Sequence, residues 1–394
     1  MTSFTADAAL AAELVELRRR LHGHPEVGLH LPRTQAALLE AIDGLGLEIT
    51  TGRELTSITA VLRGGRPGPV VLLRSDMDGL PVTEATGLPF ASVEGTMHAC
   101  GHDLHMAGLV GAARMLAARR DELPGTVVFM FQPGEEGFAG ARYMIDEGVL
   151  EAAGEAPVAA YAIHVDCVTP YGTAVTRPGP IMASASAMRV RVEGTGGHAA
   201  YPQNAIDPVP VAAEIVLAVQ AFAARRIPAI DPAVISVTRL ASDSAASNVL
   251  AASVELEANI RTLSPAALDL IRSELPRLVT AIGEAHGCTM TVEFIDSYPV
   301  TVNDPTETGR VFEVLDARYG DRAVRLPEPG MASEDFAYVL ERVPGALVFL
   351  GVQADGATAP MHSPGAMFDD SLLGDHAALL AELAWTRLAE SAAE

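Results

Sequence analysis

Residues 70–78 read VVLLRSDMD and indicate the fold, because a continuous apolar run ends there in a cluster of polar side chains. An amphipathic helix is expected over roughly Ala8–His22, and a second helical pattern covers Leu104–Arg120. Apolar runs of strand length occur at Ile58–Leu62, Val70–Leu73, Thr126–Phe131 and Val158–His164. Apolar strands that alternate with helices predict an α/β domain whose mainly parallel sheet carries helices on both faces.

Polar side chains follow three of these predicted strands at the point where each strand ends. Arg74, Ser75, Asp76 and Asp78 follow Val70–Leu73. Gln132, Glu135 and Glu136 follow Thr126–Phe131, and His164 ends the strand Val158–His164. In open α/β sheets the active site forms beyond the carboxyl ends of the strands. We therefore expect these side chains to share one edge of the sheet.

The pattern changes near Ser184, where Ala187–Glu193 alternates apolar and polar residues as a half-buried strand does. The segments that follow predict a helix, two strands, a helix and a strand, at Pro208–Arg225, Val234–Leu240, Ser253–Arg261, Pro265–His286 and Thr289–Ile295. This β-α-β-β-α-β order is that of a ferredoxin-like unit. We predict a small α+β domain of residues 184–297, inserted into a larger domain of residues 1–183 and 298–394.

Composition excludes several classes of function. The chain has 394 residues, with 50 acidic against 27 basic side chains and a formal net charge of -23, so nucleic acid and anionic membranes are poor partners. Every basic residue is arginine, which excludes Schiff-base lysine chemistry and the P-loop lysine. No apolar run reaches 18 residues, so no membrane span is expected. Three scattered cysteines suit a reducing cytoplasm.

Residues 98–105, HACGHDLH, hold three of the 11 histidines and predict a metal site. Cys100 and His102 can reach one metal centre, and zinc accepts both ligand types. The adjacent carboxylates Glu135 and Glu136 point in different directions, so one can bind metal while the other acts as general base for a water. Further candidate ligands are His164, at a strand end, and His362, in a loop bracketed by prolines.

Three other residues are candidates for supporting roles. Asp76 and Asp78 are possible ligands or partners that orient the imidazoles, and Asp78 is favoured for the orienting role. His198 follows three glycines in residues 193–200, EGTGGHAA, and an imidazole in such a loop is suited to stabilising an oxyanion in the larger domain.

Two other interpretations of the Cys100 segment are disfavoured. A nucleophilic Cys100–His102 pair would need a geometry that residues two apart rarely reach, and it would leave Glu135, Glu136 and the remaining histidines unexplained. A structural zinc site would require a second pair of Cys or His ligands nearby in the sequence.

Taken together, these motifs resemble the M20 metallopeptidase family, and within it the amidohydrolase branch that cleaves N-acyl amino acids. This branch includes aminoacylase-like, hippurate-hydrolase-like and plant auxin-conjugate hydrolases. The resemblance covers essentially the whole chain and is carried by His24–Glu26, Ser75–Asp78, His98–His105, Gln132–Glu136, Gly196–His198, Met331–Phe336 and the loop that contains His362.

The resemblance implies a site with two divalent metal ions, zinc being the first choice and manganese or cobalt the alternatives. Their ligands would be Cys100 in the bridging position, His102, Glu136, His164 and His362. Glu135 would be the general base, and His198 would act on the oxygen of the tetrahedral intermediate. Asn248 and Arg261 would bind substrate, since a guanidinium suits a free α-carboxylate. The ferredoxin-like insert would serve as a lid and dimerisation domain.

The implied function is hydrolysis of the amide bond of small N-acyl-L-amino acids to a carboxylic acid and a free amino acid. We expect a cytoplasmic homodimer or higher homo-oligomer without nucleic-acid or membrane partners. Two alternatives stay open. A dipeptidase or carboxypeptidase-like metallopeptidase would use the same site, whereas a non-catalytic metal-binding protein would need neither Glu135 nor His198.

Overall fold

The computed structural model describes residues 3–391. The helices are α1 (Ala8–His22), α2 (Pro32–Ala41), α3 (His102–Ala117), α4 (Gly140–Asp146), α5 (Pro208–Arg226), α6 (Pro265–Ala285), α7 (Pro305–Tyr319), α8 (Ala337–Leu340) and α9 (Leu373–Ser391). The strands are β1 (Glu48–Thr51), β2 (Ile58–Arg63), β3 (Arg66–Asp76), β4 (Pro124–Gln132), β5 (Ala159–Asp166), β6 (Ala174–Thr176), β7 (Gly179–Met182), β8 (Ala185–Glu193), β9 (Gly197–His198), β10 (Ala233–Ser242), β11 (Val249–Leu250), β12 (Ser253–Thr262), β13 (Thr289–Tyr298), β14 (Thr301–Asn303), β15 (Ala323–Arg325) and β16 (Gly345–Gly351).

The chain divides into two compact units. The first unit comprises Met1–Ile181, Val302–Glu328 and Asp335–Glu394, and the second comprises Met182–Thr301 and Pro329–Glu334. The short segment Pro329–Glu334 thus lies in the second unit, although its sequence position suggests the larger domain. Hydrogen bonds explain its placement, because the backbone N–H of Ala183 donates to the carbonyl oxygens of Gly330 and Ala332.

The first unit is built on an eight-stranded sheet with the order β1-β2-β4-β3-β5-β16-β6-β15. The pairs β3–β4, β3–β5, β5–β16 and β6–β15 are parallel, and the remaining three pairs are antiparallel. The predicted mixed α/β fold with a mainly parallel sheet is therefore confirmed. In β3 and β4 the register sets Asp76 opposite Gln132, so the polar residues after both strands emerge at the same edge.

The core of the first unit fixes the start of α3, which carries predicted ligands. Nearly every residue of α3 is buried, because α1 and α9 pack against it over the sheet. Gly111 permits the close approach of α9, since a Cβ at this position would lie 2.5 Å from the Cβ of Ala377. The packing of α3 on two other helices therefore fixes its position over the sheet.

The second unit contains an antiparallel sheet with the order β10-β12-β8-β13. Its elements follow the chain order β8-α5-β10-β12-α6-β13, which is that of a split βαβ unit. Helix α5 is long and apolar enough to span a membrane by length and composition alone. One side of α5, which includes Val211, Ile215 and Val219, is nevertheless buried in the core of this unit, as is typical of an amphipathic core helix.

Replacing Leu72→Ala should lower the free energy of unfolding of the first unit by about 2–5 kcal/mol, because Leu72 is fully buried in the central strand β3. Urea denaturation followed by the fluorescence of Trp385 measures this, since the single tryptophan of the chain lies in the first unit. Ile49→Ala, at an exposed position of β1, is the matched control and should shift the midpoint little. Equal shifts for both variants would contradict the assigned core.

Candidate active site

The five predicted metal ligands come together in the first unit. Cys100 and His102 flank the start of α3, Glu136 follows β4, His164 lies near the end of β5, and His362 lies in the loop after β16. Three overlapping sets of donor atoms, each within 4.8 Å of one another, connect these residues with Glu135: Cys100, His102 and His164; Cys100, Glu136 and His362; and His102, Glu135 and Glu136.

Gly101 allows Cys100 and His102 to serve the same centre. Its φ of 84° lies in the left-handed region, and it is the residue from which α3 starts. A Cβ here would lie 2.4 Å from the side chain of Val165 and 3.0 Å from that of Phe368. Glycine is therefore required between the two ligands for both backbone conformation and space.

Hydrogen bonds to backbone carbonyls fix the orientation of two imidazoles among the predicted ligands. Nδ1 of His102 donates to the carbonyl oxygen of Asp78 at 2.8 Å, and Nδ1 of His164 donates to the carbonyl oxygen of Val165 at 2.7 Å. In the neutral form of each ring, Nε2 therefore carries the lone pair that a metal ion needs. Nε2 of His164 lies 3.5 Å from Sγ of Cys100.

The donor set fits a cation. Among the residues that the structure describes, Nε2 of His102 and Oε1 of Glu136 are buried without a hydrogen-bond partner. Burial alone would lower the pKa of His102, but the carboxylates of Asp76, Asp78 and Glu136 raise it to about 10. The position thus favours a positive charge, and thiol, imidazole and carboxylate donors suit zinc or a similar divalent ion.

The fifth predicted ligand, His362, is held in an uncommon backbone conformation. Its φ is 64°, and among the described non-glycine residues only Ala139 also has a positive φ. The backbone N–H of His362 donates to the carbonyl oxygen of Ala99 at 2.9 Å, which ties its loop to the segment before Cys100. Its Nε2 lies 3.1 Å from Sγ of Cys100 and 3.2 Å from Oε1 of Glu136, the latter without the geometry of a hydrogen bond. Such strain persists where surrounding contacts determine the conformation.

Asp78 orients the loop that carries the two glutamates. Its two carboxylate oxygens accept hydrogen bonds from the backbone N–H groups of Glu135 and Glu136, each at 3.0 Å. Because the carbonyl oxygen of Asp78 also accepts from His102, one buried residue supports three members of the site. Glu135 itself is 6% exposed, and one of its carboxylate oxygens lies within 4.8 Å of one of Glu136.

His105 had no predicted role, yet the structure places it within the site. Nδ1 of His105 donates to Asp76 at 2.5 Å, and Nε2 accepts from the backbone N–H of Val165 at 2.8 Å, so both nitrogens are engaged. Burial lowers the pKa of His105 to about 3, which keeps the ring neutral. The sequence feature that could have indicated this role is spacing. Residues three apart share a helix face, and His105 lies on the face of α3 that carries His102.

The remaining predicted site residues lie in the second unit. His198 is exposed on β9 and pairs with Val249 of β11, while the carbonyl oxygen of Asn248 accepts a hydrogen bond from the backbone N–H of Ala199. Arg261 is half-buried on β12 and donates to Oγ of Ser333 at 3.0 Å. Burial lowers its pKa, and it forms no ion pair within the described part of the chain.

Comparison with known families identifies the family of this chain. The profile of Peptidase family M20/M25/M40 matches residues 72–386, which include all five predicted ligands and Glu135. The chain belongs to this family. It is therefore a hydrolytic enzyme that acts on amide bonds, and the resemblance found in its motifs is confirmed.

Relatives within the M20 family match this chain over nearly its whole length. The N-acetylcysteine deacetylase of Bacillus subtilis is 36% identical over 96% of this chain and 98% of its own. Thermostable carboxypeptidase 1 of Saccharolobus solfataricus is 36% identical over 91% of both chains. A Bacillus subtilis crystal structure described as a dinuclear metal-binding peptidase of the M20 family matches with a TM-score of 0.84 and 33% identity, over 98% of this chain and 99% of that one.

Replacing Asp78→Asn should weaken metal binding by about 10- to 100-fold, because one oxygen that accepts from the glutamate loop becomes a donor. Competition with a chromophoric chelator measures the affinity. Asp304→Asn is the matched control, since that carboxylate also accepts two backbone N–H bonds, but at the start of α7. Equal metal affinity in the Asp78 variant and the native chain would contradict the orienting role.

Proposed function

We propose that this enzyme hydrolyses N-acyl amino acids to a carboxylic acid and a free amino acid, with two divalent metal ions. The observation that carries this proposal is the meeting of five metal donors with Glu135, a carboxylate that the resemblance makes the base and not a ligand. A protein that only stored or sensed metal would have no use for such a residue.

The roles of the residues follow from their chemistry. Cys100, His102, Glu136, His164 and His362 would hold the ions, which supply Lewis-acid activation of the scissile carbonyl and the attacking water. Glu135 takes a proton from the water and transfers it to the leaving nitrogen. Its position is maintained by the hydrogen bond from its backbone N–H to Asp78, so little reorganisation is needed during the reaction.

Residues of the second unit complete the proposal. His198 donates to the oxyanion, and its exposure on the short strand β9 suits contact with a substrate. Arg261 binds the free α-carboxylate, because a half-buried guanidinium that lacks an ion pair within the described chain favours an anion. Asn248, whose backbone carbonyl accepts from the N–H of Ala199 next to His198, supplies further polar contact. This unit, which contains the insert expected at residues 184–297, is proposed as an inserted lid and dimerisation domain.

The second candidate function is that of a carboxypeptidase or dipeptidase. It is favoured by the relative named thermostable carboxypeptidase, which is as similar to this chain as the deacetylase is. Both reactions break an amide bond next to a free carboxylate, so the same metal donors, base and Arg261 would serve them. They differ in the acyl group on the other side of the bond, which is an aminoacyl or peptidyl group in peptides and a simple acyl group in N-acyl amino acids.

The identity of the metal, the assembly and the compartment are further parts of the proposal. Zinc is the expected metal because the donor set includes a thiol and three imidazoles, and manganese or cobalt are alternatives. A homodimer or higher homo-oligomer is expected from the family resemblance. A cytoplasmic location is expected because the three cysteines are free.

Release of free amino acid from a panel of N-acyl amino acids and dipeptides, with and without a chelator, tests the function. Chelator-sensitive cleavage of the acyl compounds supports the proposal. Cleavage confined to dipeptides or longer peptides would favour the second candidate. Failure of the metal-loaded protein to cleave any compound would contradict both candidates.

Replacing Glu135→Gln should lower kcat by about 10²–10⁴-fold, the range typical of a lost general base, while metal content is unchanged. Steady-state kinetics together with elemental analysis measures both quantities. Glu147→Gln is the control, because Glu147 is another glutamate of the first unit, and its carboxylate accepts from the backbone N–H groups of Arg53 and Glu54 outside the site. Undiminished turnover by the Glu135 variant would refute its assignment as base.

Replacing His198→Ala should lower kcat by about 10²–10³-fold, as the loss of one oxyanion donor does, without changing metal content. His286→Ala is the control, since His286 is another exposed histidine of the second unit and pairs with Glu214. If both variants keep native kcat, His198 has no part in the reaction.

A further inference from the structure

The motif Met331–Phe336 carries part of the family resemblance but has no assigned role. Its Asp335 belongs to the first unit and is fully buried. Its carboxylate accepts from the side-chain amide of Gln132, at 2.8 Å to each oxygen, and from the backbone N–H of Ala141 at 3.0 Å. Arg74 donates to the same carboxylate at 2.8 Å.

These contacts close the base of the loop that carries Glu135 and Glu136. Gln132 is the last residue of β4, before the loop, and Ala141 is the second residue of α4, after it. The loop is further closed by a hydrogen bond of 3.0 Å from the backbone N–H of Gly140 to the carbonyl oxygen of Gly134. A buried carboxylate thus joins the two ends of the loop.

Arg74 makes this arrangement possible by compensating the buried charge. Besides its ion pair with Asp335, it donates from Nε to the side-chain oxygen of Gln132 at 2.8 Å and from another nitrogen to Asp76 at 2.7 Å. Arg74, Gln132 and Asp335 are each at most 3% exposed. Hydrogen bonds between ionised groups are strong in such surroundings, and their geometry is well defined.

We infer that Asp335 is a positioning residue for the general base Glu135, acting through Gln132 and Ala141 at the two ends of the loop. The expected effect on catalysis rests on the proposed function. The expected effect on the loop of residues 133–140 does not depend on that function. Asp78 holds the glutamates at the tip of the loop, and Asp335 holds the base of the loop. Displacement of a reacting group by about 1 Å costs up to about 10²-fold in rate, so loss of one support is measurable.

The test begins with Asp335→Asn, which preserves shape but turns one acceptor into a donor facing Gln132 and Ala141. In the metal-loaded enzyme, kcat should fall about 10- to 100-fold, with KM and metal content close to native values. Hydrogen exchange of the backbone amides within residues 133–140, followed by mass spectrometry, should become faster. Glu307→Gln is the control, because Glu307 is a buried carboxylate that contacts Tyr161 and Arg310 elsewhere in the first unit.

A second variant distinguishes positioning from general damage. In Gln132→Glu combined with Asp335→Asn, the negative charge moves to position 132, where it pairs with Arg74. The new amide at position 335 donates to the carboxylate at position 132, and its oxygen accepts from the backbone N–H of Ala141. The links from position 335 to both ends of the loop can therefore be remade. The double variant should recover native exchange within residues 133–140 and most of kcat.

The outcomes separate this inference from the proposed function. Native exchange and kcat in Asp335→Asn, or a double variant no better than the single one, would overturn the positioning role. A loss of kcat explained entirely by lost metal would overturn it as well. If the native enzyme cleaves none of the compounds, the proposed function fails, while faster exchange in the single variant and its reversal in the double variant still support the positioning role.

Discussion

The site depends on one constraint, which is the free-energy cost of burying several polar nitrogen and oxygen atoms close together. Nε2 of His102 and Oε1 of Glu136 are enclosed without hydrogen-bond partners among the described residues. An unsatisfied buried group costs about 1–3 kcal/mol, and a charged one costs more. The carboxylates of Asp76, Asp78 and Glu136 around His102 make this region favourable for positive charge. A bound cation would satisfy the donors and offset that cost.

The first unit meets this constraint by fixing the position of each of these side chains. Strand register brings the ends of β3 and β4 side by side, and a left-handed glycine separates Cys100 from His102. Backbone carbonyls select the tautomers of His102 and His164. Around these donors lies a buried polar network in which Arg74 pairs with Asp76 and Asp335. The site is therefore preorganised by ordinary backbone geometry and a few buried ion pairs.

The hydropathy of the sequence predicts a helix or strand well where the apolar residues of that element form one uninterrupted pattern. The apolar run Ile58–Leu62 is observed as the strand Ile58–Arg63, and α1 has the bounds expected from its sequence. The helix expected at Leu104–Arg120 instead spans His102–Ala117, because Gly101 starts it two residues earlier than the apolar pattern does. Strand direction was harder to predict, since β2 pairs antiparallel with β4 although both are largely buried, as parallel strands usually are.

Within the site, motifs indicated the donors but not the contacts that support them. Cys100, His102 and Glu136 could be named because their residue types suit metal binding at short spacing. Arg74 and Asp335 are 261 residues apart, and periodicity contains no information about pairs at such a separation. His105 was missed for another reason, since its role depends on Val165, which meets it only in the folded chain.

The central claim is that five donors of the first unit hold two divalent ions. Diffraction from zinc-loaded crystals at the zinc absorption edge tests it most directly. We predict two anomalous peaks about 3.5–4 Å apart, bounded by Cys100, His102, Glu136, His164 and His362, with Glu135 nearby but outside the ligand set. Peaks elsewhere in the chain, a single peak at this site, or Glu135 in the ligand set with Glu136 outside it would contradict this claim.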